Sequence, residues 1–227
     1  MWPGMRICGG RYEIWRRMHT GGMGELYVAI DTRSKDWVVM KIPRKDKLPR
    51  SMNRLREESE KLRSLNHDNI VKWLSECEED STFYLIEERV KGGRLMEMYE
   101  RVRPPISEVM RLMKTLIETV QYLHGRTPFP IIHGDISPMN IMIKDGTNSP
   151  VLIDFGIATR LGRDPPARAG ARPWSAPEQL EKGEWQPNSD VYSLGAVMFF
   201  LLTGLSPPDQ YNGHDRSNIV GDALRKV

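Results

Sequence analysis

The chain has 227 residues, 39% of them hydrophobic and 28% charged, which is enough for a substantial core in one large domain or two small lobes. Its formal net charge of +3 is too small to argue for nucleic acid or an anionic membrane as a partner. The two cysteines, Cys8 and Cys77, lie far apart without a partner pattern, which predicts neither a disulfide framework nor a zinc cluster and suits a reducing cytosol. No apolar stretch reaches the ~18 residues a membrane span needs, and the opening MWPGMRICGGRYEIW lacks a charged-then-apolar leader layout. The expectation is a cytoplasmic protein.

In chain order, RYEIWRRMHTGGMGELYVAID (11–31) sets alternating apolar residues on both sides of a glycine cluster, predicting two strands and a tight turn. DWVVMKIP (36–43) predicts a third strand that stops at Pro43. The basic run 41–63 is interrupted by Asp46, Glu57, Glu58 and Glu60 and reads as a solvated, partly helical face. Within it, SMNRLREESEKLRSL (51–65) carries Met52, Leu55, Leu62 and Leu65 at helical spacing, with Ser51 as N-cap. IVKWLSECEEDSTFYLIEERV (70–90) predicts a second hairpin. The first 90 residues thus predict a five-stranded sheet with one helix.

Gly92-Gly93 marks a boundary, after which segments 94–103, 106–124 and 188–203 carry the 3.6-residue apolar period. VYSLGAVMFFLLTGL (191–205) keeps polar Tyr192, Ser193 and Thr203 within an apolar run and reads as a buried helix. Strand-and-loop segments containing IIHGD, NIMIKDG and VLIDFG lie between the helices, and DPPARAGARP (164–173) is loop-like.

Gly21, Gly22 and Gly24 sit between two predicted strands, where glycine lets backbone N–H groups approach phosphate closely. On its own such a segment is more often just an ordinary hairpin. Lys41, among apolar neighbours in VVMK, must snorkel or find a charge partner, and Glu58 on the next helix is the candidate. Asp135, Asn140 and Asp154 follow apolar strands, and oxygen donors of this kind suit Mg2+, which takes one or two carboxylates plus phosphates and water. A second Asp within reach of an incoming hydroxyl can orient it and accept its proton.

In this order and spacing, HTGGMG, VVMK, the helix Glu58, HGDISPMN, DFG, APE and DVYSLG resemble the eukaryotic-type (Hanks-type) protein kinase family, in the manner of bacterial and archaeal Ser/Thr kinases. The likeness covers about residues 11–225. It implies an α+β, bilobal fold, with a small antiparallel N-lobe sheet and one main helix in 11–90 and a mainly α-helical C-lobe in 91–227 that stops before the family's usual closing motif. It also implies an ATP- and Mg2+-dependent transfer (Mn2+ as alternative) to Ser/Thr hydroxyls of a protein substrate. Gly21, Gly22 and Gly24 would cover the phosphates, Lys41 would hold them and pair with Glu58, and Asp154 and Asn140 would bind metal. Asp135 would be the catalytic base. The adenine would lie between the lobes against the backbone of Glu88 and Val90, with Leu26 and Val39 above it and Met142 below.

The departures from the family are informative. His19 replaces the first loop glycine, Val39 a usual alanine, and Arg94 a frequent acidic ribose contact. Glu87 falls where an apolar gatekeeper is common, and a buried carboxylate there needs a partner that the sequence does not name. Gly134 replaces the Arg that grips an activation-loop phosphate in many kinases, and the loop from Ile157 to Ser175 has only Thr159 and Ser175 as hydroxyls. The expectation is an active shape that does not depend on loop phosphorylation. Ser137 and Ala171 replace a paired lysine and threonine that steady the γ-phosphate, with Arg160, Arg163, Arg168 and Arg172 as substitute cations. Asp190 would support the catalytic-loop backbone, His133 would pack on Phe155, His67 would shape a turn, and Glu178 would stand unpaired or on a loop Arg. Two rival readings fit part of this pattern: a small-molecule phosphotransferase of the aminoglycoside or choline kinase type, and a nucleotide-binding pseudokinase scaffold.

Overall fold

A computed structural model describes residues 2–20, 24–163 and 169–208. The chain forms two compact units, Met1–Val90 and Lys91–Val227. Among the described residues of the first, one antiparallel sheet of six strands runs in the order β1-β2-β3-β4-β6-β5. The strands are β1 (Arg6–Ile7), β2 (Tyr12–Thr20), β3 (Gly24–Asp31), β4 (Trp37–Pro43), β5 (Trp73–Glu79) and β6 (Thr82–Glu88). The expected five strands are all there; the two-residue β1 is too short to show a period in sequence.

Alternation along β2, β3, β4 and β6 gathers Ile7, Tyr12, Ile14, Tyr27, Ala29, Val38, Met40, Tyr84 and Ile86 into one core, against which Cys8 and Cys77 pack. The sheet curls until its two edges meet. Tyr12 Oη and Ser75 Oγ lie 2.6 Å apart, and the Cys8 N–H donates to Glu79 Oε2 at 2.5 Å. Cys8 and Cys77 are joined by a disulfide with a Cα–Cα distance of 5.9 Å. This corrects the reading of two unrelated cysteines: sequence separation hides a proximity that only the curl creates. Cysteine usage therefore no longer argues for a reducing compartment.

Helix α1 (Arg50–Arg63) buries Leu55 and Leu62 together with Glu58, Ser59 and Lys61. The Ser59 hydroxyl bonds Glu76 and accepts from Trp73 Nε1 at 2.8 Å, pinning α1 to β5. Ser51 is not the N-cap; it lies inside the helix, buried, and donates to the Arg44 carbonyl at 2.9 Å. Lys41 and Lys61 are buried too, so the basic run 41–63 is only partly a solvated face.

In the second unit, β7 (Gly92–Arg94), β9 (Ile141–Lys144) and β10 (Pro150–Leu152) form a sheet ordered β10-β9-β7, and β8 (Ile131–Ile132) pairs with β11 (Thr159–Arg160). The double glycine is thus a strand and not a bare connector: at Gly92, with φ +146°, a Cβ would sit 1.9 Å from the Ile143 carbonyl oxygen. Helix α2 (Leu95–Tyr99) ends well short of residue 103, ahead of Pro104-Pro105. Helix α3 (Ile106–His124) buries Val109, Leu112, Met113, Leu116, Val120 and Leu123, the i, i+3, i+4, i+7 stripe of an amphipathic helix. Helix α4 (Pro177–Glu181) was too short to be legible, and α5 (Pro187–Thr203) is buried around much of its circumference and ends at Gly204 in the left-handed conformation. Helices α3 and α5 pack together.

Candidate active site

In the first unit the site begins with Lys41 on β4. Its ammonium contacts Glu58 of α1, and Glu87 of β6 at 3.1 Å, and all three residues are buried. Lys41 pairs with Leu85, and Val39 with Glu87, across the β4–β6 ladder. Residues two apart share a face, so Glu87 reaches Lys41 diagonally. Glu87 therefore has the partner that sequence left unnamed.

Leu26 and Val39 are half-buried on the same sheet, Leu26 opposite Lys41 and Val39 opposite Val28. Gly24 begins β3, where a Cβ would meet the Ile42 carbonyl oxygen at 2.6 Å. Gly21 and Gly22 lie outside the described residues. The Glu88 N–H bonds the Lys72 carbonyl at 2.9 Å, so of its backbone only the carbonyl can serve an adenine edge. Val90 is half-buried.

In the second unit, β8 delivers the chain into the loop containing Asp135, and β9 takes it away after Asn140. Asn140 Nδ2 donates to the Asp135 carbonyl at 3.0 Å and to its carboxylate at 2.8 Å, while the Asn140 N–H bonds the Ser137 carbonyl. Asp135 is half-buried. Desolvation and the nearby Asp154 charge push its carboxyl up to about 7, while the Asn140 amide that donates to it and the Ala171 backbone N–H pull the value down. Asp154 is exposed at φ +64°, a conformation sparsely populated by non-glycine residues. Met142 is half-buried on β9, opposite Val151 and Arg94.

Beneath the loop, buried Asp190 accepts the N–H groups of His133 at 3.0 Å and Gly134 at 2.8 Å, and its Oδ2 lies 2.8 Å from His124 Nε2. The His133 ring packs edge-on against Phe155 with centroids 4.7 Å apart. In the first unit His67 shapes the turn before β5, its Nδ1 accepting the Asn69 N–H at 3.1 Å. Glu178 is not left alone: the Ser189 hydroxyl of α5 donates to it at 3.2 Å, and no Arg among the described residues is shown holding it. Arg160 is half-buried on β11, Arg163 and Arg172 are exposed, and Arg168 lies outside the described residues.

Sequence reasoning missed three members of this site. Trp185 covers Gly134, Gln179 bonds its carbonyl at 2.6 Å, and the Ala171 backbone N–H favours the charged form of Asp135. None carries a sequence signal: an amide N–H has no residue type, and Gln179 and Trp185 belong to segments without period. Among the described residues no group of three or more His, Cys, Asp or Glu is placed to hold a metal. Two carboxylates and an amide are the smaller set that suits Mg2+ bound with phosphates.

Comparison with known proteins gives a consistent picture. Residues 12–226 match the family described as "Protein kinase domain". The chain is 36% identical over 214 residues to the "Serine/threonine-protein kinase PrkC" of Bacillus subtilis, covering 91% of this chain and 32% of that protein. It is 33% identical over 204 residues to the "Probable serine/threonine-protein kinase zyg-1" of Caenorhabditis briggsae, covering 87% and 28%. The human "Hormonally up-regulated neu tumor-associated kinase" is 30% identical over 208 residues, covering 87% and 29%. The chain thus spans under a third of the length of these relatives.

Proposed function

The chain belongs to the protein kinase domain family, and from that premise we propose that it is the catalytic part of a Ser/Thr protein kinase using ATP and Mg2+. The observation that carries the reading is Asp135: a half-buried carboxylate braced by Asn140, which desolvation and then the nearby Asp154 charge push up to about 7. A base poised near neutrality is ionised at working pH and still accepts a proton. The acceptor hydroxyl oxygen attacks the γ-phosphorus while the bond to the β,γ-bridging oxygen breaks; ADP leaves and the hydroxyl proton passes to Asp135.

Lys41 supplies a fixed cation for the phosphates. Its two carboxylate partners hold it in place within a strand that would otherwise expel a charge. Asp154 and Asn140 fit as Mg2+ ligands, since two mutually repelling carboxylates favour a hard divalent ion between them. That ion, when bound, would neutralise the developing phosphate charge. Ser137 and Ala171 offer no cation to the γ-phosphate, and losing one charged stabiliser costs about 10²–10³ in rate, so slow turnover is expected.

Thr159 and Ser175 are both buried, which supports a site organised without loop phosphorylation. An ATP-consuming domain works where ATP is, so this reading assigns the cytoplasmic side, and no described helix is long and apolar enough to cross a membrane.

The test is transfer of label from γ-labelled ATP with Mg2+ by wild type and Asp135→Asn, offering basic proteins beside small alcohols and amino sugars. Label on protein Ser or Thr, lost in the variant, is the expected result. Label on a small acceptor overturns protein specificity, and no transfer alongside nucleotide-dependent stabilisation overturns the enzyme reading.

A further inference from the structure

Gly134 is gripped at both ends of its peptide units. Its N–H donates to Asp190, and its carbonyl accepts from Gln179 Nε2 at 2.6 Å. The same Gln179 nitrogen donates to the Ala169 carbonyl at 2.7 Å. Two carbonyl oxygens converging on one amide demand its NH2 end there, which fixes the orientation of the side chain. Gln179 is fully buried, so both bonds are shielded from water.

The two carbonyls belong to segments that meet at the base. Gly134 precedes Asp135, and Ala169 stands two residues before Ala171, whose backbone N–H favours the ionised form of Asp135. The link from Gly134 to Ala169 therefore sets where the segment 169–171 lies against the loop that carries Asp135. Gly170, between them, is packed onto the link: at φ +137° a Cβ would lie 2.8 Å from Gln179 Nε2 and 2.3 Å from Ser175 Oγ. On the other side the Trp185 ring fills the space over Gly134, where a Cβ would approach it to 1.8 Å. No side chain fits at 134, so the loop cannot be held by a cation grafted there.

Building on the kinase reading above, we propose that Gln179 is a positioning residue that clamps the segment 169–171 to the catalytic loop, a neutral and permanently buried substitute for a phosphate-dependent contact. It touches no reacting atom. Its work is to hold the segment 169–171 against the catalytic loop in the unphosphorylated chain.

The test compares wild type with Gln179→Met, which keeps the volume and removes both donors, and with Gly170→Ala, which pushes on the same amide from the opposite side. Two readouts are taken on the unphosphorylated chain: amide hydrogen exchange across 169–175, and steady-state transfer at varied ATP. Both variants should exchange these amides at least tenfold faster than wild type. A displacement near 1 Å costs up to about 10²-fold in rate, so kcat should fall roughly ten- to hundredfold with the KM for ATP within about twofold. Combining the two variants should add little beyond either one, since both break one link. Unchanged exchange across 169–175 overturns the clamp whether or not the protein transfers phosphate. Faster exchange with kcat unchanged overturns its role in positioning. Absence of transfer by wild type strikes the kinase reading instead, and exchange alone then decides whether the link exists.

Discussion

Lys41 sets one ammonium between two buried carboxylates, Glu58 and Glu87. Glu87 competes with any anion that approaches Lys41. One unit charge at about 4 Å is worth roughly 1–4 kcal/mol between bulk-water and near-surface dielectric. Glu87→Met should therefore lower the dissociation constant for ATP by about fivefold or more in calorimetry; equal or weaker binding contradicts this role. Asp135 gives a second, pH-resolved expectation. Its carboxyl titrates at about 7 in the folded chain against 3.8 as a free group, so the folded state holds the extra proton between those values. Stability is then lost as pH rises through that window, at most about 1.4 kcal/mol per unit. In the metal-free protein Asp135→Asn should melt higher than wild type at pH 8, with the gap closing towards pH 4. A variant that melts lower at pH 8 would contradict the account.

Among the elements, α5 does most to set the site. Its first turns present Asp190, which accepts two loop N–H groups and sits against His124 of α3. Orphaning a buried donor costs about 1–3 kcal/mol, so Asp190→Ala should lose roughly 3 kcal/mol or more of unfolding free energy in urea. A change within about 0.5 kcal/mol, the level of an ordinary surface substitution, would contradict the support role. Helices α3 and α5 were legible because each repeats its apolar spacing for four turns or more. The five-residue α4 and the two-residue β1 could not be, since a period needs more than one turn to appear, and α2 was expected but stops four residues before 103. Ser51 misled for a related reason: it has the chemistry of a cap, yet the Arg44 carbonyl claimed its hydroxyl.

For the molecule as a whole, the curl of the first sheet was invisible in sequence, and with it the Cys8–Cys77 bond. A crosslink spanning 69 residues is worth about 4 kcal/mol in the chain-entropy description. Cys77→Ser, or excess dithiothreitol, should therefore lower the melting temperature of the first unit by several degrees, and an unchanged melting curve would contradict the linkage. The candidate site was more legible than the sheet's closure. Lys41, Glu58, Asp135, Asn140 and Asp154 announce themselves by residue type and order. Gln179, Trp185 and the Ala171 amide matter only through where the fold puts them. The central claim is that buried contacts, and not a loop phosphate, hold Asp135 ready. The measurement that tests it most directly is the initial rate of transfer by phosphatase-treated chain, followed from the first turnovers. The account predicts full initial rate without a lag. A lag that preincubation with ATP abolishes would contradict it.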